Sequence, residues 1–416
     1  MQRRVAITGL GLVSPYGGDL AHFFARLSAQ ASAVTHHLTE DQPRPLSLPM
    51  VLCRQFDAAA ALGKPLASMT DRFAQLGLSA TFAAWADAGL GRTAEGQDRN
   101  DWGVSWGTAL GGAHFSEKIY RDLWQEGRDR LAPLSVLLGM NNAANAHISI
   151  QLGLGGVSMS HSVACASSAI SIGEAFRRVR SGEATVMLCG GSDVPQTYGV
   201  MRAWEALRVL APGDATTSAM ACRPFSSERR GLVLGEGAAA LVLEDWDHAM
   251  ARGATIHAEI AGFGTSCDHT HLVRPEVAGQ VRALRGALAD ASLSPNEVDY
   301  VNAHGTATAE GDPTEVAALR EVFASHAQHL AVSSTKALHG HLLGAAGAIE
   351  AVITVLSLRD GTVVGTAHLE GNLDPACEGV DHVTTTRHHQ PLRAALSSSF
   401  AFGGSNAVLA FRLHQA

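Results

Sequence analysis

The six cysteines of this chain (Cys53, Cys165, Cys189, Cys222, Cys267, Cys377) are scattered, with no Cys-x-x-Cys pair among them. A disulfide-stapled secreted domain or a structural zinc site needs clustered thiols, so neither organises this fold. Each cysteine reads as a separate reduced thiol of a cytosolic protein. Positive charge is also short: 31 Lys and Arg face 39 Asp and Glu, a net charge of −8. That balance argues against nucleic-acid and anionic-membrane partners, which need a basic surface. No apolar run reaches the ~18 residues of a membrane-spanning helix. The start, Met1-Gln2-Arg3-Arg4, leads straight into the strand-like Val5-Ala6-Ile7-Thr8-Gly9 without the apolar core of a signal peptide. The expectation is a soluble, cytoplasmic protein. No Gly-x-x-x-x-Gly-Lys-[Ser/Thr] phosphate loop occurs, and Gly9-Leu10-Gly11-Leu12-Val13-Ser14 lacks the third glycine of a dinucleotide fingerprint. His36-His37 and His388-His389 have no cysteine or carboxylate at zinc spacing and read as exposed histidines. No redox cofactor and no catalytic metal are expected.

What remains is a dense chain: 416 residues, 46% hydrophobic, 17% charged, with 43 glycines. That is long enough for one large core or two halves. Short β-branched runs alternate with alanine-rich stretches of helical period, the pattern of an α/β fold. Strands are predicted at Val5–Thr8, Thr185–Cys189, Ala239–Leu243, His257–Ala261, Tyr300–Asn302 and Ala407–Phe411. Gly182 and Gly361 each stand where a helix should stop. The stretch from Gly213 to Arg230 reads as an irregular surface connection. Two pairs of segments echo each other. Val5-Ala6-Ile7-Thr8-Gly9-Leu10-Gly11 matches Ala258-Glu259-Ile260-Ala261-Gly262-Phe263-Gly264, and Arg180-Ser181-Gly182 matches Arg359-Asp360-Gly361. The echo reads either as a duplicated α/β unit or as the common likeness of glycine-rich βα turns.

Four segments can carry chemistry. In Ser162-Val163-Ala164-Cys165-Ala166-Ser167-Ser168-Ala169, a buried stripe of Ala169, Ile172, Phe176 and Val179 follows the cysteine. Cys165 then sits at a helix N-terminus, where free amides and the dipole favour a thiolate of lowered pKa. The alternative is a packed, inert thiol. The second segment, Val301-Asn302-Ala303-His304-Gly305-Thr306, puts a histidine between a strand end and a glycine turn, where α/β sheets expose catalytic groups. The third, Ser334-Thr335-Lys336-Ala337-Leu338-His339-Gly340-His341-Leu342-Leu343-Gly344, sets a lysine and two histidines ahead of a close-packing helix. The fourth, Ser399-Phe400-Ala401-Phe402-Gly403-Gly404-Ser405-Asn406, allows a tight turn with amides aimed at a ligand and aromatics along an apolar channel. With 20 histidines in the chain, the motifs argue together and not singly.

Together, from Thr8-Gly9-Leu10-Gly11 through Arg223-Pro224-Phe225 and Gly235-Glu236-Gly237 to the glycine loop, these segments resemble the elongating β-ketoacyl-acyl carrier protein synthases of the thiolase superfamily. The resemblance implies an α/β thiolase-like fold of duplicated halves, 1–256 and 257–416, packed as layered helices and mixed sheets. It implies an acyltransferase performing decarboxylative Claisen condensation of malonyl-acyl carrier protein with a primer held on Cys165. By the same resemblance, His304 and His341 stand over the malonyl thioester and Lys336 supports the site. The oxyanion hole is formed by the backbone N–H groups of Cys165 and Phe402. The acyl pocket and its gate involve Leu110, Phe400, Ala401 and Phe402. Carrier-protein docking falls to Lys64, Arg128, Arg130 and Arg208, which otherwise read as solvated charges. A structural monovalent cation is a family feature near Asn302, Ala303, Glu350, Ser397 and Ser398. No organic cofactor is implied.

Physical logic fits these residue types. A sulfur is both nucleophile and leaving group for a thioester. Two neutral imidazoles can donate to the enolate left when malonyl loses carbon dioxide. The chain departs from the pattern at His339, in place of a small polar residue, at Ala401 for glycine, Ser405 for threonine and Ser398 for asparagine. A thiolase would carry a second catalytic cysteine and a chalcone-type synthase a His/Asn pair, which sets coenzyme A enzymes behind. The partners implied are acyl carrier protein and a second subunit, in a homodimer or a heterodimer with a related chain-length factor. The metabolic setting, fatty-acid, polyketide or polyene, stays open.

Overall fold

The computed structural model describes residues 3–39, 44–93 and 97–414. Eleven strands form one mixed sheet: β1 (Val5–Val13), β2 (Gly103–Gly107), β3 (Ser158–His161), β4 (Val186–Asp193), β5 (Gly237–Asp245), β6 (Ala258–Cys267), β7 (Tyr300–Asn302), β8 (Ala331–Ser333), β9 (Asp381–His382), β10 (Ala394–Phe400) and β11 (Ser405–Arg412). Their spatial order is β9-β8-β7-β10-β11-β6-β1-β5-β4-β2-β3. The helices that matter for the site are α1 (Arg72–Asp87), α2 (Ser167–Ser181), α3 (Tyr198–Leu207), α4 (Val277–Asp290), α5 (Gly311–Phe323) and α6 (Ala346–Asp360).

The order mirrors itself about the junction of β1 and β6. Reading outward, β1-β5-β4-β2-β3 corresponds to β6-β11-β10-β7-β8. In both arms the first two pairings are antiparallel and the last two parallel. The echoed glycines have one physical purpose in each arm. A Cβ on Gly9 or Gly11 would come within 2.2 Å of the carbonyl oxygen of Ala84 or Ala80, so α1 lies directly on β1. A Cβ on Gly262 or Gly264 would meet Ala287 O at 2.6 Å or Ala283 O at 2.0 Å, which seats α4 on β6 in the same way. The second echo is equally physical: Gly182 and Gly361 end α2 and α6 in left-handed conformation, at φ of 81° and 59°. The likeness is therefore duplication of the α/β unit, not a coincidence of turns.

Between the two arms, α2 and α6 meet in the centre. Gly347 comes so near Ala169 that an added Cβ would sit 2.8 Å from that methyl, and the Ser168 hydroxyl accepts the Ala348 N–H at 2.9 Å. The predicted stripe Ala169, Ile172, Phe176 and Val179 is buried in the same apolar cluster as Ile349, Val352 and Ile353 of α6. All six predicted strands are present, most longer than expected; β1 runs on to Val13 because Leu10 and Leu12 are buried too. The stretch 213–230 contains one short 3₁₀ turn, Ser218–Met220, and is otherwise irregular.

Candidate active site

The candidate catalytic groups collect where strand ends from both arms meet over the start of α2. Cys165 follows β3 and precedes α2. Ala164 before it adopts φ of 45°, a left-handed backbone unusual for alanine. Ser167 locks this bend: its hydroxyl accepts the Val163 N–H at 2.8 Å and donates to Ala164 O at 2.7 Å. Cys165 is buried, and burial pushes its thiol up to about 12, against the opposing pull of Lys336 and of the Phe402 and Cys165 backbone N–H groups. The expected lowering of this thiol by the helix start is thus reversed. Desolvation outweighs the nearby positive groups, and Cys165 rests as a thiol.

The opposite wall comes from β7 and the turn before α6. His304 and Gly305 donate their backbone N–H groups to the two carboxylate oxygens of Glu315 on α5, both at 2.8 Å. Glu315 is buried and pushed up to about 7 by that burial. Asp312, one turn earlier, accepts N–H groups of Phe225 (2.7 Å) and Thr306 (3.1 Å), holding the rest of the loop. Lys336, wholly buried, forms an ion pair with Glu350 of α6 and lies 3.4 Å from His304 Nδ1. An ammonium only donates, so Nδ1 of His304 accepts and its Nε2 carries the proton. The rings of His304 and His341 stand 5.4 Å apart, nearly perpendicular. Burial, reinforced by Lys336, holds both imidazoles well below their ordinary range, so both are neutral. The His341 backbone is anchored by bonds to Val233 O and from the Gly235 N–H, while both its ring nitrogens are buried without a partner. His341 lines a cavity of about 420 Å³ together with Cys165, His304, Phe400, Ala401 and Phe402.

Cys165 falls in one, and His304, Lys336 and His341 in the other, of two adjoining family matches. Residues 2–249 match the family described as Beta-ketoacyl synthase, N-terminal domain, and residues 257–370 its C-terminal domain. The chain is a β-ketoacyl synthase. It is 41% identical over 415 residues to Nodulation protein E of Rhizobium leguminosarum bv. trifolii, covering 99% of this chain and 100% of that one. It is 38% identical over 417 residues to 3-oxoacyl-[acyl-carrier-protein] synthase 2 of Staphylococcus aureus (strain COL), covering 100% and 99%. Among solved structures, the ishigamide ketosynthase/chain length factor superposes with a TM-score of 0.91 at 29% identity, covering all of both chains. This synthase is an acyl-transferring condensing enzyme of thiolase-like fold.

Not every expected residue reaches the synthase cavity. Leu110 stands outside it, in a separate apolar cluster with Met201, Trp204 and Leu343. Between the two, Phe402 stacks on Trp204 of α3, ring centroids 5.9 Å apart and 26° from parallel. Arg208, the left-handed C-cap of α3, lines the cavity. Arg128 lies instead in a polar groove at the other end of α3, paired with Asp122 (3.4 Å) and Glu126 (2.8 Å). Arg130 is exposed, and Lys64 is the exposed first residue of a short helix, Lys64–Ser68. Within one chain these four do not form one patch.

Near the expected cation position, β7 and β10 run parallel with Asn302 opposite Ser397. Asn302 donates to Glu350 O at 3.3 Å. Glu350 Oε2, Ser398 Oγ and Ser399 Oγ are buried without partners, a set of hard oxygens that suits a monovalent cation. His339 adds a wholly buried imidazole whose Nε2 lies 2.9 Å from Thr335 Oγ1, itself 3.5 Å from Asn302 Oδ1. Sequence reasoning missed Glu315, Asp312, Trp204 and Asp193. The last ends β4 and accepts four hydrogen bonds. Only Asp312 and Glu315 had a local signal, two acids on one helix face a few residues after the histidine.

Proposed function

We propose that this synthase condenses malonyl-acyl carrier protein with an acyl primer carried as a thioester on Cys165. The observation that carries this reading is the shared cavity, in which Cys165 faces two neutral imidazoles and the Phe402 backbone N–H favours the sulfur's anion. Cys165 sulfur displaces the carrier thiol from the primer, and that thiol leaves with the cysteine's proton. Malonyl then loses carbon dioxide, and the enolate oxygen receives hydrogen bonds from His304 Nε2–H and from a ring N–H of His341. The enolate carbon attacks the Cys165 thioester. The backbone N–H groups of Cys165 and Phe402 hold the resulting oxyanion until the cysteine is expelled. Lys336, anchored by Glu350, fixes the His304 tautomer. A monovalent cation among Asn302, Ala303, Glu350, Ser397 and Ser398 would tie β7, β10 and α6 together, a structural role.

The carrier substrate is supported by the relative named 3-oxoacyl-[acyl-carrier-protein] synthase 2. Arg208 at the cavity is the docking residue best supported here, with Arg128, Arg130 and Lys64 as outer contacts. The division into halves at 256/257 follows the mirrored sheet order. A cytoplasmic setting agrees with the fact that no helix among the described residues is long and apolar enough to cross a membrane. The working unit is a dimer built on the edge strand β3 and the exposed apolar residues Val136, Leu137 and Ile150. The ketosynthase/chain length factor neighbour favours a related subunit as a second reading of the partner. The test is to incubate the purified chain with malonyl-carrier protein and a ladder of acyl-carrier primers, and to identify products by mass. β-Ketoacyl products support the reading as a self-sufficient enzyme. Activity only after adding a related subunit supports the heterodimer, and acylation without condensation in either case overturns the assignment.

A further inference from the structure

One densely bonded side chain near the cavity has no part in this chemistry. Asp193 ends β4, fully buried, and its carboxylate accepts hydrogen bonds from two separate parts of the chain. Oδ1 takes the Thr108 hydroxyl at 3.1 Å and the Leu110 N–H at 3.0 Å; Oδ2 takes the Ala109 N–H at 2.8 Å and the Gly344 N–H at 2.7 Å. Both oxygens are filled by dipoles, and none of its recorded partners is a cation. Thr108 in turn accepts the Gly111 N–H at 2.9 Å. Gly344 cannot be replaced at this contact: an added Cβ would lie 2.3 Å from Ala109 N and 2.6 Å from Asp193 Oδ2.

Two functional elements are thereby joined. One is the turn Thr108–Leu110, which carries the side chain of the apolar cluster behind Phe402. The other is the His341–Gly344 turn, whose first residue lines the cavity. A carboxylate is suited to this place because it offers acceptors in several directions at once. An amide of the same shape would turn two donor hydrogens toward backbone N–H groups that are themselves donors. Leaving such buried donors unpaired is costly, so the turns would separate.

We propose that the apolar cluster of Leu110, behind Phe402, receives the acyl chain, and that Asp193 is a positioning residue that couples this cluster to the turn bearing His341. This rests on the roles proposed above for Cys165 and His341. It predicts that primer length and malonyl decarboxylation are disturbed together by one change that touches neither substrate. The test is Asp193→Asn, with Thr108→Val as a milder variant that removes one hydroxyl and keeps the carboxylate. In each, per folded protein, Cys165 acylation is followed by intact mass across short and long primers, and carbon dioxide release is followed from malonyl-carrier protein. The expected result for Asp193→Asn is at least a tenfold loss of decarboxylation together with a several-fold change in the ratio of long- to short-primer acylation. Thr108→Val should move both readouts the same way by less. In a double-mutant cycle with Leu110→Ala, the primer ratios should not combine multiplicatively. A common-factor loss across every primer and both steps would mean a purely structural aspartate and overturns the coupling, as would no change in either. A Cys165→Ala control that still acquires acyl groups would overturn the underlying reading and not the coupling alone.

Discussion

The two arms of the sheet are built alike and treat charge in opposite ways. After β3, the first arm turns through Ala164 into α2 and presents one small neutral nucleophile. After β8, the second arm makes the equivalent turn into α6 and buries Lys336, His339 and His341 there, with Glu350 on the helix itself. Helix α2 leaves Arg177, Arg178 and Arg180 at least partly exposed, and they pair with Glu174, Glu183 and Asp290. Helix α6 is buried from Ala346 to Leu358. Pairing two charges inside rarely stabilises a fold, because desolvation offsets their attraction. The second arm carries that cost around its imidazoles: Lys336, held by Glu350, adds to burial in keeping both rings neutral and contacts His304 Nδ1. The difference suggests a division of labour, with acyl transfer in the first arm and enolate chemistry in the second.

The sharpest break of that division is Cys165→Ala. Acylation and condensation should be abolished, with the fold intact, because a methyl replaces a thiol in a site already packed with small residues. Carbon dioxide release from malonyl should persist, since the imidazoles remain. Intact-mass spectrometry and carbon dioxide measurement together check it. An acylated variant would sink the assignment of the first arm.

The reciprocal change is His304→Ala or His341→Ala. Losing one transition-state donor should lower decarboxylation on the order of 100- to 1000-fold while some acyl transfer to Cys165 remains. Parallel losses of acylation in both variants would say that the two arms are not separable, and unchanged decarboxylation would remove the pair from the mechanism.

Much of this arrangement was legible beforehand, for reasons that differ by residue. Gly9, Gly11, Gly262 and Gly264 could be read because helix-on-strand contact tolerates no Cβ at those positions. Cys165 and His304 were readable from what surrounds them, a helix stripe in one case and a strand end in the other. Strand β10 was not, since Ser397, Ser398 and Ser399 are buried by neighbouring strands and not by their own chemistry. Lys336 with Glu350, Asp193 with Gly344 and Trp204 with Phe402 join positions distant along the chain, and no spacing rule connects them. The Cys165 thiol shows a deeper limit: local position argues for a lowered pKa, but the amount of protein around the sulfur decides its sign.

A smaller effect probes the cost of buried polarity in the second arm. Burial first, then Lys336, hold His339 down to about 3 from its ordinary 6.5. As pH falls below 6.5, the unfolded chain takes a proton there that the folded chain refuses, so stability is lost progressively toward pH 3. Between pH 7 and pH 5 the loss from this one residue should be about 2 kcal/mol. His339→Thr keeps a hydroxyl near Thr335 and removes the proton site. Its stability should therefore decline less than wild type over that interval, measured by denaturant unfolding at both pH values. Equal declines would mean that His339 is protonated, or solvated, in the folded protein.

The smallest expected effect lies in the loop of Ala401, which joins β10 to β11. The Ala401 N–H donates to Ser405 O at 2.8 Å and the Gly404 N–H to Ala401 O at 3.1 Å, while the Gly403 N–H reaches Leu272 O at 2.8 Å. Gly403 and Gly404 supply the left-handed conformations, at φ of 86° and 75°, whereas Ala401 does not adopt one. We propose that a primer enters when Phe402 leaves Trp204 and its loop swings aside. If that swing takes Ala401 through positive φ, its methyl opposes the motion by about 1 kcal/mol, a few-fold in rate. Ala401→Gly should then acylate Cys165 a few times faster in pre-steady-state measurements, with decarboxylation unaffected because His304 and His341 do not sit on this loop. Equal acylation rates would show that Ala401 is comfortable in both states, leaving this loop with the Phe402 backbone N–H as its contribution to chemistry in the first arm.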